Sequence, residues 1–114
     1  MSEVIVVTTP NLPGYEIVKI LGPVHGITVR TRGMGGKIVA SIEGLFGGEV
    51  TAYTSECEKA RQESLQRLIE NARKIGANAV IGTNFETSDI LQGTATVFAV
   101  YGTAAIVKPA EKKE

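Results

Sequence analysis

The sequence predicts a single α+β domain, a two-layer fold in which an antiparallel β-sheet carries a short and a long helix on one face. Two observations lead to this prediction. Apolar residues recur at helical spacing through the middle of the chain, and β-branched runs lie on both sides of that segment. The length of 114 residues suits one hydrophobic core, and an apolar content of 43% is typical of a globular chain.

The N-terminal third of the chain predicts strands. Residues 4–7 form a short β-branched run that ends in a loop rich in proline and glycine. Residues 15–21 partly alternate between apolar and polar side chains, break at Gly22-Pro23, and resume the alternation over residues 24–30.

Two helices are predicted next, over residues 37–46 and from about residue 49 to residue 75. The apolar stripe of the long helix consists of Tyr53, Cys57, Ala60, Ser64, Leu65, Leu68, Ala72 and Ile75. Glu63 and Arg67, and likewise Glu56 and Lys59, are spaced to form ion pairs on the helix surface. Gly76 is placed to close the helix in the left-handed conformation.

The C-terminal part predicts a strand over residues 78–85, a turn region over residues 88–93 and a last strand over residues 94–107. Both faces of the last strand are apolar, which predicts that both are covered. The helices cover one face, and another subunit is the simplest cover for the other. Residues 1–107 are therefore expected to form the domain, and residues 108–114 a charged tail.

Composition excludes several classes of protein. Twelve basic and twelve acidic residues give a net charge of zero, which argues against a protein that wraps nucleic acid. One cysteine permits no intrachain disulfide, and no stretch approaches the roughly 20 apolar residues of a membrane helix. We therefore expect a soluble, cytoplasmic protein without nucleic-acid or membrane partners.

Three stretches together resemble the YbjQ-like family, which is often labelled as heavy-metal-binding and has no established reaction. They are Gly47-Gly48 with Tyr53, Glu56 and Lys59-Ala60-Arg61; residues 76–82; and Gly102-Thr103-Ala104-Ala105. The resemblance covers roughly residues 4–107. It implies a two-layer α+β subunit and a ring-shaped homopentamer in which strands cross between neighbours. The sequence departs from the family pattern at Asn84, usually acidic, at Glu49, usually basic, and at Cys57, usually a bulky aliphatic residue.

Soft metal ions prefer thiolate and imidazole ligands, and the chain has one cysteine, Cys57, and one histidine, His25. These two residues alone cannot complete a site in one subunit, although a ring could bring copies of each together. The ordinary interpretation makes Cys57 a buried residue of the helix stripe and His25 an exposed polar residue at a strand break.

Glu86 and Asn84 share one face of a strand, and with Asp89 beyond them they could form a site for a hard cation. The alternative is a solvated strand end. The glycine cluster over residues 33–36 precedes a helix and could bind an anion, but it lacks the phosphate-loop pattern and equally suits a hinge.

These observations favour a non-enzymatic homo-oligomer with a structural role or a role in binding a small ligand or ion. A metal-binding protein with sites shared between subunits is the second hypothesis, and a metal ion is the only cofactor that it suggests. An enzyme with an interfacial active site is the third. It is the weakest, because no nucleophile, base and acid can be assigned.

Overall fold

The computed structural model describes residues 3–31, 51–90 and 95–111. In these ranges the strands are β1 (Ile5–Val6), β2 (Tyr15–Thr31), β3 (Ala79–Ile90) and β4 (Ala95–Pro109), and the helix is α1 (Thr51–Lys74). The strands form one sheet in the order β1-β3-β4-β2. The α+β class and the long helix are confirmed. The predicted short helix over residues 37–46 and the glycine cluster over residues 33–36 lie outside the described residues.

The sheet is mixed, so the prediction of a purely antiparallel sheet is wrong at one edge. β1 pairs in parallel with β3, with Ile5 opposite Ala79 and Val6 opposite Val80. The pairs β2–β4 and β3–β4 are antiparallel. Parallel pairing requires a long crossover connection, and the segment between β1 and β3 supplies one because it contains both β2 and α1.

β2 is one continuous strand, although the sequence predicted a break at Gly22-Pro23. Its register against β4 shifts twice, between Ile17 and Lys19 and between Ile20 and Gly22. Gly22 has a φ of 119°, which a residue with a side chain rarely adopts. The glycine therefore marks an irregularity within a paired strand, since a bulge bends a strand without ending it.

Strands β3 and β4 both run further than predicted. β3 continues to Ile90, so Ser88 and Asp89 lie in the strand and the predicted turn does not begin at residue 88. β4 continues to Pro109. Two paired antiparallel strands favour each other's extension, because each added residue pair satisfies further backbone hydrogen-bonding groups.

Helix α1 packs across one face of the sheet with a stripe of small and branched residues. Ala60, Ser64, Leu68 and Ala72 are each at most 1% exposed. They recur every four residues, so they lie along one side of the helix. Leu68 and Ala72 share the main hydrophobic cluster with Val24, Ala77, Val80, Val100 and Ala104.

α1 approaches the sheet closely at Gly26 of β2. A methyl group built on Gly26 would lie 2.0 Å from the carbonyl oxygen of Ser64 and 2.5 Å from the backbone nitrogen of Leu68. The helix backbone therefore rests on a position where only glycine fits.

Ion pairs and a hydrogen bond from charged side chains also connect α1 to β2. The carboxylate of Glu63 lies 2.8 Å from Arg30 Nη2 and 2.8 Å from Arg67 Nη2, and Arg67 Nη1 donates to the carbonyl of Ile27 at 2.6 Å. The predicted Glu63–Arg67 pair is thus confirmed, and it belongs to a network that reaches the sheet. The predicted pair of Glu56 and Lys59 is also present, at 3.9 Å.

The end of α1 confirms the predicted stop signal. Gly76 has a φ of 88° and donates its N–H to the carbonyl of Arg73, while Ala77 donates to the carbonyl of Ala72. This pair of bonds is the Schellman arrangement, which satisfies carbonyls left free at a helix end. The Asn78 side chain then bonds both backbone groups of Val107, each at 2.8 Å, and so fixes the start of β3 against β4.

Candidate functional site

The face of the sheet turned away from α1 is here called the outer face. Alternate residues of β4 lie on it, because Val100 and Ala104 belong to the cluster under the helix. At one end the outer face is covered: Leu12, Ala79, Ala105 and Val107 form a second buried cluster with Ile5 and Val7. The other end carries Tyr101, Ala99 and Val97, with their partners on β2 and β3.

Three strands place a polar row across this open end. His25 of β2 lies directly opposite Tyr101 of β4, and Tyr101 lies directly opposite Asn84 of β3. Glu86 is two residues beyond Asn84, so it shares the same face and the neighbouring row. His25 and Glu86 therefore stand on opposite sides of Tyr101.

A bulge in β3 puts these residues on the outer face. Ile81 pairs with Thr103 and Asn84 pairs with Tyr101, so two residues of β3 oppose one residue of β4. Gly82 within the bulge has a φ of 60°. One extra residue reverses the side to which every following side chain points, and this reversal places Asn84 and Glu86 beside Tyr101.

The phenol of Tyr101 donates a hydrogen bond to Oε1 of Glu86 at 3.3 Å. The negative charge of Glu86 raises the pKa of Tyr101 above its ordinary value of 10.0, and the hydrogen bond and partial desolvation raise it further. Tyr101 is therefore a neutral hydrogen-bond donor at physiological pH.

Glu86→Gln is expected to lower the pKa of Tyr101 toward 10.0, because the charge that opposes phenolate formation is removed. A raised pKa in the folded protein stabilises the fold below pH 10.0, and this contribution is lost as the pH rises through the folded pKa. Alkaline titration of phenolate absorbance measures the shift, with Tyr101→Phe as the blank for the other tyrosines.

The control for this titration is Glu16→Gln, which removes an exposed carboxylate that pairs with Lys108 at 3.7 Å. The titration of Tyr101 should not move in that variant. A Tyr101 curve that is the same in Glu86→Gln and in the unmodified protein would show that the two side chains do not interact.

Apolar side chains surround the polar row. On the outer face Ile20 is 52% exposed, Ile27 43%, Val29 51% and Ile90 39%. Their positions follow from the register, since Ile27 lies opposite Ala99, Val29 opposite Val97 and Ile90 opposite Ala95. Several large apolar side chains on one face form an exposed apolar patch of the kind found at interaction sites.

The residues predicted as ligands are only partly brought together. His25 and Glu86 share the outer face. Asp89 lies an odd number of residues from Glu86, so it points to the helix side, where its Oδ1 accepts a bond from Thr96 at 3.0 Å. The predicted hard-cation set of Asn84, Glu86 and Asp89 is therefore not assembled. In the part of the chain that the structure describes, no three His, Cys, Asp or Glu side chains could hold a metal ion.

Cys57 is exposed, so its interpretation as a buried residue of the helix stripe is wrong. The described sheet packs closely against α1 at Gly26, beneath Ser64 and Leu68. Cys57 lies two helical turns before Ser64, roughly 10 Å along the axis, and thus beyond that contact. Ile75, at the other end of the predicted stripe, is 49% exposed, although Ala72 and Ala77 on either side of it are buried in the main cluster.

Sequence reasoning missed the role of Tyr101 as the partner of Glu86. The alternation along the last strand puts Tyr101 on one face with Ala95, Val97 and Ala99, but it does not connect that face with β3. The signal for the connection was Gly82, because an isolated glycine inside a strand pattern suggests a bulge.

In the described residues the geometry thus defines a class of protein: an α+β domain whose mixed sheet packs against one helix on one face and is left open over part of the other. The chain belongs to the YbjQ family, whose model is described as "putative heavy-metal-binding" and matches residues 4–108. Relatives of uncharacterised function include the UPF0145 protein of Picrophilus torridus, 46% identical over all of this chain and 96% of its own length. The UPF0145 protein of Methanoregula boonei is 49% identical over 95% of this chain and 89% of its own length.

A solved structure shares the fold. The crystal structure of a protein of unknown function from Pediococcus pentosaceus superimposes with a TM-score of 0.63 at 16% identity, covering 92% of this chain and 98% of that one. In the described ranges of the present chain, α1 is not apolar enough to span a membrane.

The cysteine and the histidine of one chain do not form a soft-metal site together. The single cysteine lies on α1, and the single histidine lies on the outer face, on the opposite side of the sheet. A soft-metal ion needs three or four ligands within about 2.0–2.3 Å, so these two residues cannot bind one ion together. A heavy-metal site that used both of these residues would have to draw on more than one copy of the chain.

Proposed function

We propose that this chain is the subunit of a homo-oligomer, a pentameric ring as the family resemblance implies, in which the outer face is buried between copies. Its role is structural or the binding of a small ligand or ion. The observation that carries the proposal is the set of large apolar side chains on the outer face, since burying them would remove apolar area from water at roughly 25 cal/mol per Å².

The dimensions of the chain support association. Its radius of gyration is 18.2 Å and its extents are 63 × 28 × 24 Å. A self-contained domain of this length has a radius of gyration of about 13 Å. An elongated sheet with one helix buries less of its apolar surface than a globular domain does, and neighbouring copies supply the missing cover.

Val29→Lys is expected to dissociate the oligomer, weakening association by more than about 100-fold, because a lysine charge would be buried without a partner. Size-exclusion chromatography with light scattering measures the mass against multiples of the 12.1 kDa subunit. The matched control is Ile75→Lys, which changes an apolar side chain of similar exposure, 49% against 51%, on the helix instead of the outer face.

The unmodified protein and Ile75→Lys should elute as the same oligomer, with a mass near five subunits for a pentamer. A stable monomer of the unmodified protein at micromolar concentration would contradict the proposal. An oligomer that Val29→Lys leaves intact would show that copies associate through another surface.

Metal sites shared between subunits are the second candidate function. The family description and the placement of His25 and Glu86 on the outer face, where copies would meet, favour it. Elemental analysis of protein purified without added metal separates the two functions. A stoichiometric transition metal that His25→Ala abolishes would support shared sites, whereas a trace amount of metal would count against them.

A further inference from the structure

The Tyr101–Glu86 hydrogen bond lies in the middle of an apolar surface. Ile27 is cross-strand from Ala99, and Ala99 is cross-strand from Glu86, so the carboxylate shares a row with two apolar side chains. Apolar pairs also fill the following row, where Val29 lies opposite Val97. A carboxylate in such surroundings is unusual unless it has a specific partner.

In an isolated subunit this bond contributes little to stability. Tyr101 is 41% exposed and Glu86 is also exposed, so water competes for both groups. The bond becomes important when the surface is covered. A carboxylate moved out of water must keep a hydrogen-bond donor, because an unpaired buried charge is strongly unfavourable.

We propose that the Tyr101–Glu86 pair is the polar centre of the contact between copies and selects the register in which a second copy packs on the outer face. This inference rests on the proposed function, because it requires that the face be buried by another copy. Tyr101 supplies the donor that permits Glu86 to be buried. A copy packed in a shifted register would place a carboxylate against aliphatic side chains.

A second copy of the chain carries polar groups that complement those on this surface. The outer face offers Glu86 on one side of Tyr101 and the imidazole of His25 on the other, so a second copy brings a donor for the carboxylate that the first presents. The chain has a net charge of zero, so long-range repulsion between copies is weak.

The test is a pair of variants measured for subunit dissociation by light scattering over a dilution series. Tyr101→Phe keeps the aromatic ring of the side chain and removes the hydroxyl donor. It should weaken association between copies by about 10- to 100-fold, because Glu86 loses its hydrogen bond. Tyr101→Phe combined with Glu86→Gln removes the charge as well and should recover most of that loss. Thermal unfolding of each variant at a concentration where it is monomeric should be unchanged.

Tyr15→Phe is the matched control. Tyr15 is 40% exposed, almost the same as Tyr101, and lies on the same strand pair at the covered end, opposite Pro109. Its substitution should leave association unchanged.

Two results would overturn the inference while leaving the oligomer in place. One is an equal dissociation constant for Tyr101→Phe and Tyr15→Phe. The other is a loss of affinity between copies in Tyr101→Phe that the added Glu86→Gln does not recover, because the effect would then come from packing of the aromatic ring. A monomeric unmodified protein would instead overturn the proposed function, and the inference with it.

Discussion

Gly26→Ala is expected to destabilise the fold by about 3–5 kcal/mol. The added methyl group would lie 2.0 Å from the Ser64 carbonyl oxygen and 2.5 Å from the Leu68 nitrogen, both of which are backbone atoms and cannot rotate away. The helix must therefore move off the sheet, and its buried contacts loosen together. Urea denaturation followed by circular dichroism measures the loss at a fixed protein concentration.

Gly76→Ala provides the comparison for this substitution. A methyl group on Gly76 meets nothing within 4 Å, but the residue has a φ of 88°. Its substitution should cost only about 1 kcal/mol, the strain of placing alanine in the left-handed region. A loss in Gly26→Ala as small as that in Gly76→Ala would contradict the close approach of helix and sheet.

Leu68→Ala is expected to cost about 2–5 kcal/mol, because it leaves a cavity at the centre of the main hydrophobic cluster. Leu68 is fully buried between the helix and the sheet, where it joins Val24, Val80 and Val100. The same denaturation experiment measures the effect. Ile75→Ala removes a similar side chain that is 49% exposed and should cost well under half as much.

Equal losses in Leu68→Ala and Ile75→Ala would mean that the two side chains are buried alike. That result would restore Ile75 to the buried stripe predicted from the sequence. It would also imply that α1 contacts a further surface at its C-terminal end.

Local features of this fold could be predicted well from the sequence. The closure of α1 at Gly76 and the Glu63–Arg67 pair depend on residues within one or two turns of each other. Their geometry follows from the helix alone, so no knowledge of the sheet was needed.

Features that depend on the sheet were harder to predict. Gly22 interrupts the alternation of apolar and polar residues in β2. A glycine at such a point can indicate either the end of a strand or a bulge within it. The exposure of Cys57 depends on which part of the helix contacts the sheet, and this cannot be predicted from the spacing of apolar residues along the helix. The parallel partner of β1 is likewise set by the path of the whole chain.

The candidate site illustrates the same limit. His25 and Glu86 could each be singled out from the sequence as a potential ligand. Their placement around Tyr101 depends on the pairing of β2 with β4 and on a one-residue bulge in β3. An error of one residue in either register would move a side chain to the other face of the sheet. Sequence patterns do not define strand register to one residue, so the arrangement around Tyr101 could not be predicted from them.

The strand order also has a consequence for how the chain reaches its native state. Among the described strands, only β3 and β4 are neighbours in both sequence and sheet, whereas Ile5 pairs with the distant Ala79 and Tyr15 with the distant Pro109. Pairings between such distant segments carry a loop-closure entropy that slows folding. During synthesis β4, the partner of β2 among the described strands, leaves the ribosome last, so the apolar side chains of β2 lack this partner for most of translation and are accessible to chaperones and to other nascent copies.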